Sequence, residues 1–487
     1  MKKIVSFSAL VAATLFMTAC GGSSNDSGNA GTTPATGGGN NEQQAEVIPG
    51  GVAEDGSLYG SLNIMSFVPD PVALSLYFEH LNPDVSTSVS ITGLDGGAFQ
   101  TQLQQILASN TNVPDLVMMD AQFVRQFVES PFLSDIDFML DHVADLDIYQ
   151  FTLDAGTHEG TLRAISHQAT PGVMYVRRSL ALEFFGTDDP DELQEYFKDL
   201  DTFLDSARRI RDMSGGTTFA LPAYDELVHM IWANREQPWI VDNNLVIDPM
   251  VEQYMDIARV LRDENLEAQV GTWSGEWFAG MSDTLVNAAG TPIQIFGYFL
   301  PTWGLHGTLM HNATTDDTDT TGDWMIIPGP LPYQWGGSWF AIPNNAPNPE
   351  LAREFLEWFF TEDIQAKWMT GFFTHDRVLE WSTDIPGDTH ISAGDFMSSN
   401  VVNERNKAEI VGTTAYEFVG GQNPHDVFAQ VAPNVSLRLI QGTDFMIQDA
   451  FGDALSQYIN NEVTREQALE IFRDSVSIDL PNLNVRP

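Results

Sequence analysis

Leu62-Asn63-Ile64-Met65-Ser66-Phe67 reads as a β-strand that Pro69 and Pro71 bring to an end. A helical stretch is expected from Val72 to His80, broken by Asn82-Pro83-Asp84, and Val85 to Thr92 then alternates like a second strand. Gly93-Leu94-Asp95-Gly96-Gly97 is a turn, and Phe99, Leu103, Ile106 and Leu107 recur at helical spacing between Ala98 and Ser109. Pro114-Asp115-Leu116-Val117-Met118-Met119-Asp120 is a short apolar strand ending on an acid. This β-α-β-α-β order predicts a parallel sheet with helices on both faces. Open sheets of that kind bind ligands at the carboxyl ends of their strands. Phe67, Asp95 and Asp120 therefore fall at one rim and are candidate ligand contacts.

Beyond this block, Pro171 to Arg178 reads as a strand, as do Asp323 to Pro328 and Gly336 to Pro343. Residues 313–323 form a polar surface loop. Pro349 to Trp368 is an amphipathic helix, and helices are expected over 449–460 and 464–476. Thr464-Arg465-Glu466-Gln467 opens the last of them like a capping box. The roughly 440 residues of this folded part exceed one ordinary domain and suit two.

The N-terminal end reads differently. Lys2 and Lys3 precede an apolar run, Ile4 to Met17, that is too short to span a bilayer, and Cys20 follows as the sole cysteine. The arrangement resembles a bacterial lipobox, with Met17 and Thr18 in place of its usual residues. A signal peptide with a chance cysteine is the alternative. Gly21 to Glu46 is Gly, Ser, Thr, Asn and Pro with little to bury, a tether reaching roughly 30 Å. Residues 1–19 are thus expected to be a lipoprotein signal peptide, and 20–55 a lipidated Cys20 with its tether. Several acyl chains hold a protein at a membrane where one does so marginally.

The formal net charge is −45, which makes nucleic acid and anionic lipid poor partners. The acids are scattered among apolar residues, as on a solvated folded surface. Past the signal only Lys198, Lys367 and Lys407 remain, and arginine predominates. A salty or alkaline habitat and a lineage bias in composition both fit.

Catalytic signatures are lacking. The sequence has no Gly-x-Ser-x-Gly, no His-Glu-x-x-His and no phosphate loop. A glycoside hydrolase needs two carboxylates at set distances. With 67 acids, such pairs occur by chance. Asp317-Thr318-Asp319-Thr320-Thr321-Gly322 begins like a calcium loop, but its twelfth position is Pro328 instead of Glu. No metal, no cofactor and no enzymatic activity are expected.

Five stretches resemble the family 1 extracellular solute-binding proteins, the group that includes maltodextrin-binding proteins. They are Gln100 to Asn110 with Val113-Pro114-Asp115-Leu116, Gly160 to Ile165 with Pro171 to Arg178, Gly322 to Pro343, Asn348 to Leu356, and Glu462 to Leu469. Val176 departs from the tyrosine common at that place. The resemblance implies an α/β fold: two doubly wound α/β domains joined by a multi-crossing hinge, periplasmic-binding-protein-like, type II. Residues 56–168 plus 341–375 would form the N-terminal lobe, and 169–340 plus 376–487 the C-terminal lobe. Crossings are expected near Ser166–Thr170, Trp339–Asn344 and Thr370–Val378. It implies further a monomer that holds a small-molecule carbohydrate between the lobes. Such a protein works outside the cytoplasm, anchored to the membrane's outer face, and delivers its ligand to the permease subunits of an ABC importer. A secreted lipoprotein glycoside hydrolase and a transporter-independent carbohydrate-binding lipoprotein are the alternatives.

Sugars present apolar ring faces edged with hydroxyls, so their sites need aromatic platforms and fixed polar groups. All eleven tryptophans lie between Trp232 and Trp381. Trp335 and Trp339 bracket Gly336-Gly337-Ser338, where glycines let backbone approach a ligand. Position in the family adds Trp273, Tyr224, Glu226, Asp444 and Gln448. Arg177, Arg235 and Arg377 are the residues around which a local basic pocket would form, whereas Trp358 and Trp368 sit at core spacing.

Overall fold

The computed structural model describes residues 50–94, 97–382 and 395–487. The expected signal peptide, Cys20 and Asp95 lie outside the described residues. Among the described residues no helix is long and apolar enough to cross a membrane.

Two sheets organise the chain. The first contains β1 (Gly51–Val52), β2 (Leu58–Ser66), β3 (Val85–Ile91), β4 (Leu116–Asp120), β5 (Ile165–Ser166) and a late strand, Ser338–Ala341. β3 and β4 both pair with β2 in parallel, and the late strand runs antiparallel between β4 and β5. Helix α1 (Asp70–Leu81) connects β2 to β3, and α2 (Ala98–Ser109) leads on to β4. The expected β-α-β-α-β order is thus present.

The period of two along each strand sorts side chains onto opposite faces. Leu62, Ile64, Leu116, Met118 and Phe340 pack into one hydrophobic cluster, whereas Met65, Val117, Met119, Trp339 and Ala341 pack into another on the far face. A sheet covered on both sides reads as continuous apolar runs, as Leu116 to Met119 does.

The second sheet centres on β6 (Pro171–Arg177), flanked by β7 (Gly297–Pro301), β8 (Trp324–Ile327) and β9 (Tyr333–Gln334). All three partners pair with β6 antiparallel. Here too the faces divide: Met174, Val176, Phe299, Met325 and Ile327 point one way, Val173, Tyr175, Leu300, Trp324 and Ile326 the other. β9 crosses so closely that a Cβ at Gly172 would lie 1.9 Å from Tyr333 Cζ, which only glycine allows. The late strand of the first sheet is then β10 (Ser338–Ala341).

The chain passes between the sheets at 167–170 and at 335–337, and Phe396 packs with the second sheet while Met397 packs with the first. The crossing at Ser166–Thr170 falls where expected. The one expected at Trp339–Asn344 lies earlier, because Trp339 is already inside β10. Phe373 and Val378 both pack with the first sheet, so the chain does not change sheets at Thr370–Val378. Val402 and Ile410 join them, whereas Val427, Phe451 and Phe472 pack with the second sheet. Packing therefore divides 376–487 between the two cores. Hydrogen bonds tie the crossings together: Ala169 N donates to Phe396 O at 2.9 Å, Ser398 N to His167 O at 2.8 Å, and Thr170 Oγ1 to Gly336 O at 2.9 Å.

The expected helix over 349–368 is two, α3 (Pro349–Phe359) and α4 (Glu362–Met369). The last two helices are α5 (Asp444–Ile459) and α6 (Arg465–Asp479). Thr464 and Gln467 form the expected reciprocal cap.

Candidate functional site

A cavity of about 630 Å³ opens where the carboxyl ends of β2 and β4 meet the start of β10. Register places this rim. Ser66 pairs with Met118, and Asp120 pairs with Ser338, so Phe67, Asp120 and Ser338 all reach the cavity wall. The Phe67 ring meets Phe99 edge-on at 6.0 Å. Asp120 also caps the following helix, Ala121–Val128: its Oδ1 accepts from Gln122 N at 2.8 Å. Burial pushes its carboxyl up to about 6, against the opposing pull of its backbone hydrogen bonds.

The facing wall comes from the segment after β7. Residues 302–312 are helical, and the turn Leu305–Leu309 widens to a π-helix, a distortion frequent at functional sites. Trp303, His306 and His311 line the cavity from this segment. Trp303 Nε1 donates to Trp335 O at 3.0 Å, and a Cβ at Gly336 would lie 2.9 Å from that nitrogen. Gly336 and Gly337 adopt φ of +69° and +109°, the region that favours glycine. The close approach seen at Gly336 is to a side chain of the protein itself, the Trp303 indole, and it admits that ring beside the cavity.

Trp303 belongs to an aromatic group. Trp273 stacks parallel to it at 6.2 Å, and Trp335 meets both rings edge-on at 5.6 and 5.8 Å. Trp273 is 48% exposed. Trp335 also stacks on His229 at 4.6 Å, and desolvation there holds the imidazole down to about 4.

Trp335, Gln448, Asp444 and Arg235 line a smaller cavity of about 120 Å³ that shares Gly336 with the first. Arg235 Nη2 donates to Asp444 Oδ2 at 2.8 Å. The other two atoms, Arg235 Nη1 and Asp444 Oδ1, are buried without a hydrogen-bond partner. An unpaired donor and an unpaired acceptor on one buried ion pair that lines a cavity suit a ligand hydroxyl group.

Of the residues expected at the site, Phe67, Asp120, Trp335, Asp444 and Gln448 line a cavity, and Trp273 stands in the adjoining aromatic group. Three do not. Trp339 is fully buried on the far face of β10, with Nε1 donating to Thr152 O at 2.9 Å; alternation along β10 turned it into the core. Glu226 is buried where its Oε1 accepts from Trp277 Nε1 at 2.6 Å and its Oε2 from Phe299 N at 3.0 Å. Tyr224 donates its backbone N–H to Glu267, and its ring lies under the Arg262 guanidinium. Of the three arginines, Arg235 reaches a cavity. Arg177 is held in the second core by Asp283 and Asp323, and Arg377 lies over Phe372.

Trp303, His306, Gln168, Asp70 and Asp395 line the first cavity without having been expected there. Trp303 carried a weak signal, sitting between Pro301 and Gly304 just after a strand. Asp70, His167 and Asp395 are brought together at the cavity's edge although no spacing in the sequence links them.

The family model for bacterial extracellular solute-binding proteins matches residues 78–375. That is more than half of the chain, and the protein belongs to this family. No curated protein matches it in sequence. Its fold is shared with solved structures. One is described as an extracellular solute-binding protein family 1 member (17% identity, TM-score 0.68, covering 86% of this chain and 99% of that one). Another is the ABC transporter-associated binding protein of B. animalis subsp. lactis with β-1,6-galactobiose (17%, 0.62, 88% and 99%). A third is the galacto-N-biose/lacto-N-biose I-binding protein of Bifidobacterium longum with lacto-N-biose (15%, 0.63, 90% and 99%). The two-sheet α/β architecture is accordingly the type II periplasmic-binding-protein fold.

Proposed function

We propose that this protein is the substrate-binding component of an ABC importer and captures a neutral sugar or short oligosaccharide. The observation that carries the reading is the Trp273–Trp303–Trp335 group beside a cavity edged by Asp120 and Gln168. Flat indole faces match sugar ring faces, and the carboxylate and amide match paired hydroxyls. Disaccharides occupy two of the structures that share the fold, which supports the choice of ligand class.

In this reading the two sheets belong to two lobes, one around 56–168 and 341–375 and the other around 169–340, linked by the segments at 167–170 and 335–337. A ligand that touches Phe67 and Asp120 on one side and Trp303 on the other binds the closed arrangement better. It therefore shifts the population toward the closed state. The importer's membrane subunits recognise that form. Lipid at Cys20 and the tether after it would keep the monomeric domain near them at the outer face of the membrane. Binding, not turnover, is the activity.

Titration with a panel of mono- and oligosaccharides, followed by tryptophan fluorescence and by chromatography of the sugars, tests this. A saturable fluorescence change with the sugar recovered intact supports a receptor. Release of shorter products would replace it with a hydrolase. A flat response to every sugar would remove carbohydrate as the ligand.

A further inference from the structure

Three chain segments far apart in sequence converge at the edge of the large cavity: the start of α1, the first crossing and the crossing before Phe396. Each contributes one potential ligand atom, from Asp70, His167 and Asp395, and these atoms lie within 4.8 Å of one another. His167 is 0% exposed, and neither its Nδ1 nor its Nε2 has a hydrogen-bond partner. Rings of Phe340, Phe359 and Trp368 surround it at 5.3 to 6.0 Å. A polar ring buried without partners is costly unless something else satisfies it.

The carboxylates are in a similar position. Among the described residues neither Asp70 nor Asp395 pairs with a lysine or arginine; the nearest basic group to Asp395 is His167 Nε2, 3.9 Å from its Oδ2. Trp368 Nε1 donates to Asp395 Oδ2 at 2.7 Å and so aims that carboxylate. Indirect support of this kind orients ligands around bound metals.

We propose that Asp70, His167 and Asp395 bind a divalent cation of the zinc class at the edge of the large cavity. One imidazole and two carboxylates suit Zn²⁺ or a neighbouring first-row ion; Ca²⁺ asks for six to eight oxygens. Tetrahedral coordination at about 2.0–2.2 Å sets the ligands roughly 3.4 Å apart. Binding would therefore draw His167 Nε2 and Asp395 Oδ2 together from 3.9 Å by about half an ångström and turn the half-buried Asp70 carboxylate toward them. The cation would neutralise the carboxylates and give one nitrogen of His167 its partner, with the ring's proton fixed on the other. Because Asp70 and Asp395 also line the cavity, the fourth position opens into it and takes an oxygen donor, water when nothing else is bound.

The test needs no sugar. Metal-stripped full-length protein is titrated with Zn²⁺ by calorimetry, and with Co²⁺ while visible d–d absorption is followed. One equivalent is expected to bind, to raise the melting temperature and to give the intense bands of tetrahedral Co²⁺. Asp70→Asn and Asp395→Asn should each weaken binding at least ten-fold, and circular dichroism checks their folding. His167→Gln should abolish the Co²⁺ bands. If Zn²⁺ binds the variants as tightly as the parent, it sits on the many surface acids and the proposal is overturned. Failure of the parent to take up a stoichiometric ion, meaning that a shared proton suffices for the carboxylates, would overturn it equally.

Discussion

Arg235 Nη2 donates to Asp444 Oδ2 at 2.8 Å across 209 residues of sequence, and the two side chains are 2% and 7% exposed. Burial nevertheless pushes the Asp444 carboxyl up to about 6, outweighing the arginine that pulls it down. Desolvation dominates this pair, as is common for buried ions.

Removing one partner should therefore hurt more than removing both. Arg235→Leu is expected to destabilise the fold by about 3–5 kcal/mol, since it strands a buried carboxylate. The double variant Arg235→Leu/Asp444→Leu should recover a large part of that loss in urea denaturation. Equal losses for single and double variants would contradict the reading.

Trp303 and Trp339 should separate binding from stability. Trp339→Ala removes a fully buried ring and its hydrogen bond to Thr152, and about 3–5 kcal/mol of stability should go with it. Trp303→Ala, on the half-buried cavity wall, should leave melting less affected. Under the proposed function it weakens the sugar found in the panel by about ten-fold or more, as loss of an aromatic anchor does. Calorimetry beside thermal melting distinguishes the two; a Trp303→Ala protein with unchanged affinity would move the site elsewhere.

Glu226 makes stability depend on pH. Burial raises its carboxyl from 4.5 to about 8, with the Trp277 hydrogen bond opposing. The folded state then holds a proton that the unfolded chain releases between those values. This contribution is complete below pH 4.5 and is lost as pH rises through 8. Glu226→Gln sets an amide N–H₂ against either Trp277 or Phe299, at a cost of about 1–3 kcal/mol. It should also flatten the decline in unfolding free energy between mildly acidic and mildly alkaline buffer. Parallel pH profiles for parent and variant would show that Glu226 ionises normally.

The charge of −45 predicts a response to salt. Like charges repel over about 30 Å at 0.01 M salt and about 3 Å at 1 M. Melting temperature should rise by several degrees when NaCl is raised from 10 mM to about 1 M, because self-repulsion in the compact state is screened. A flat or falling curve would mean that the surface ion pairs, such as Arg208 with Glu264, offset the excess acid.

What the sequence determined by itself is local. The strand at Leu62–Ser66, the helix at Ala98–Ser109, the acid ending β4 and the cap at Thr464 all depend on periods and caps that neighbouring residues set. Phe67 and Asp120 were legible for the same reason, since the ends of parallel strands share a rim. Trp339 misled because a strand's alternation must be anchored to a register before either face can be called core, and only pairing with β4 and β5 supplied it. Glu226 lies in the core instead: a carboxyl group that accepts from Trp277 and Phe299 has the same letters around it as one that meets a ligand. The place of Trp303 on the cavity wall, the pairing of Arg235 with Asp444 and the Asp70–His167–Asp395 cluster were decided by the tertiary structure alone. Each depends on segments tens to hundreds of residues apart that two sheets and their crossings bring within a few ångströms, a distance that no chain-local pattern encodes.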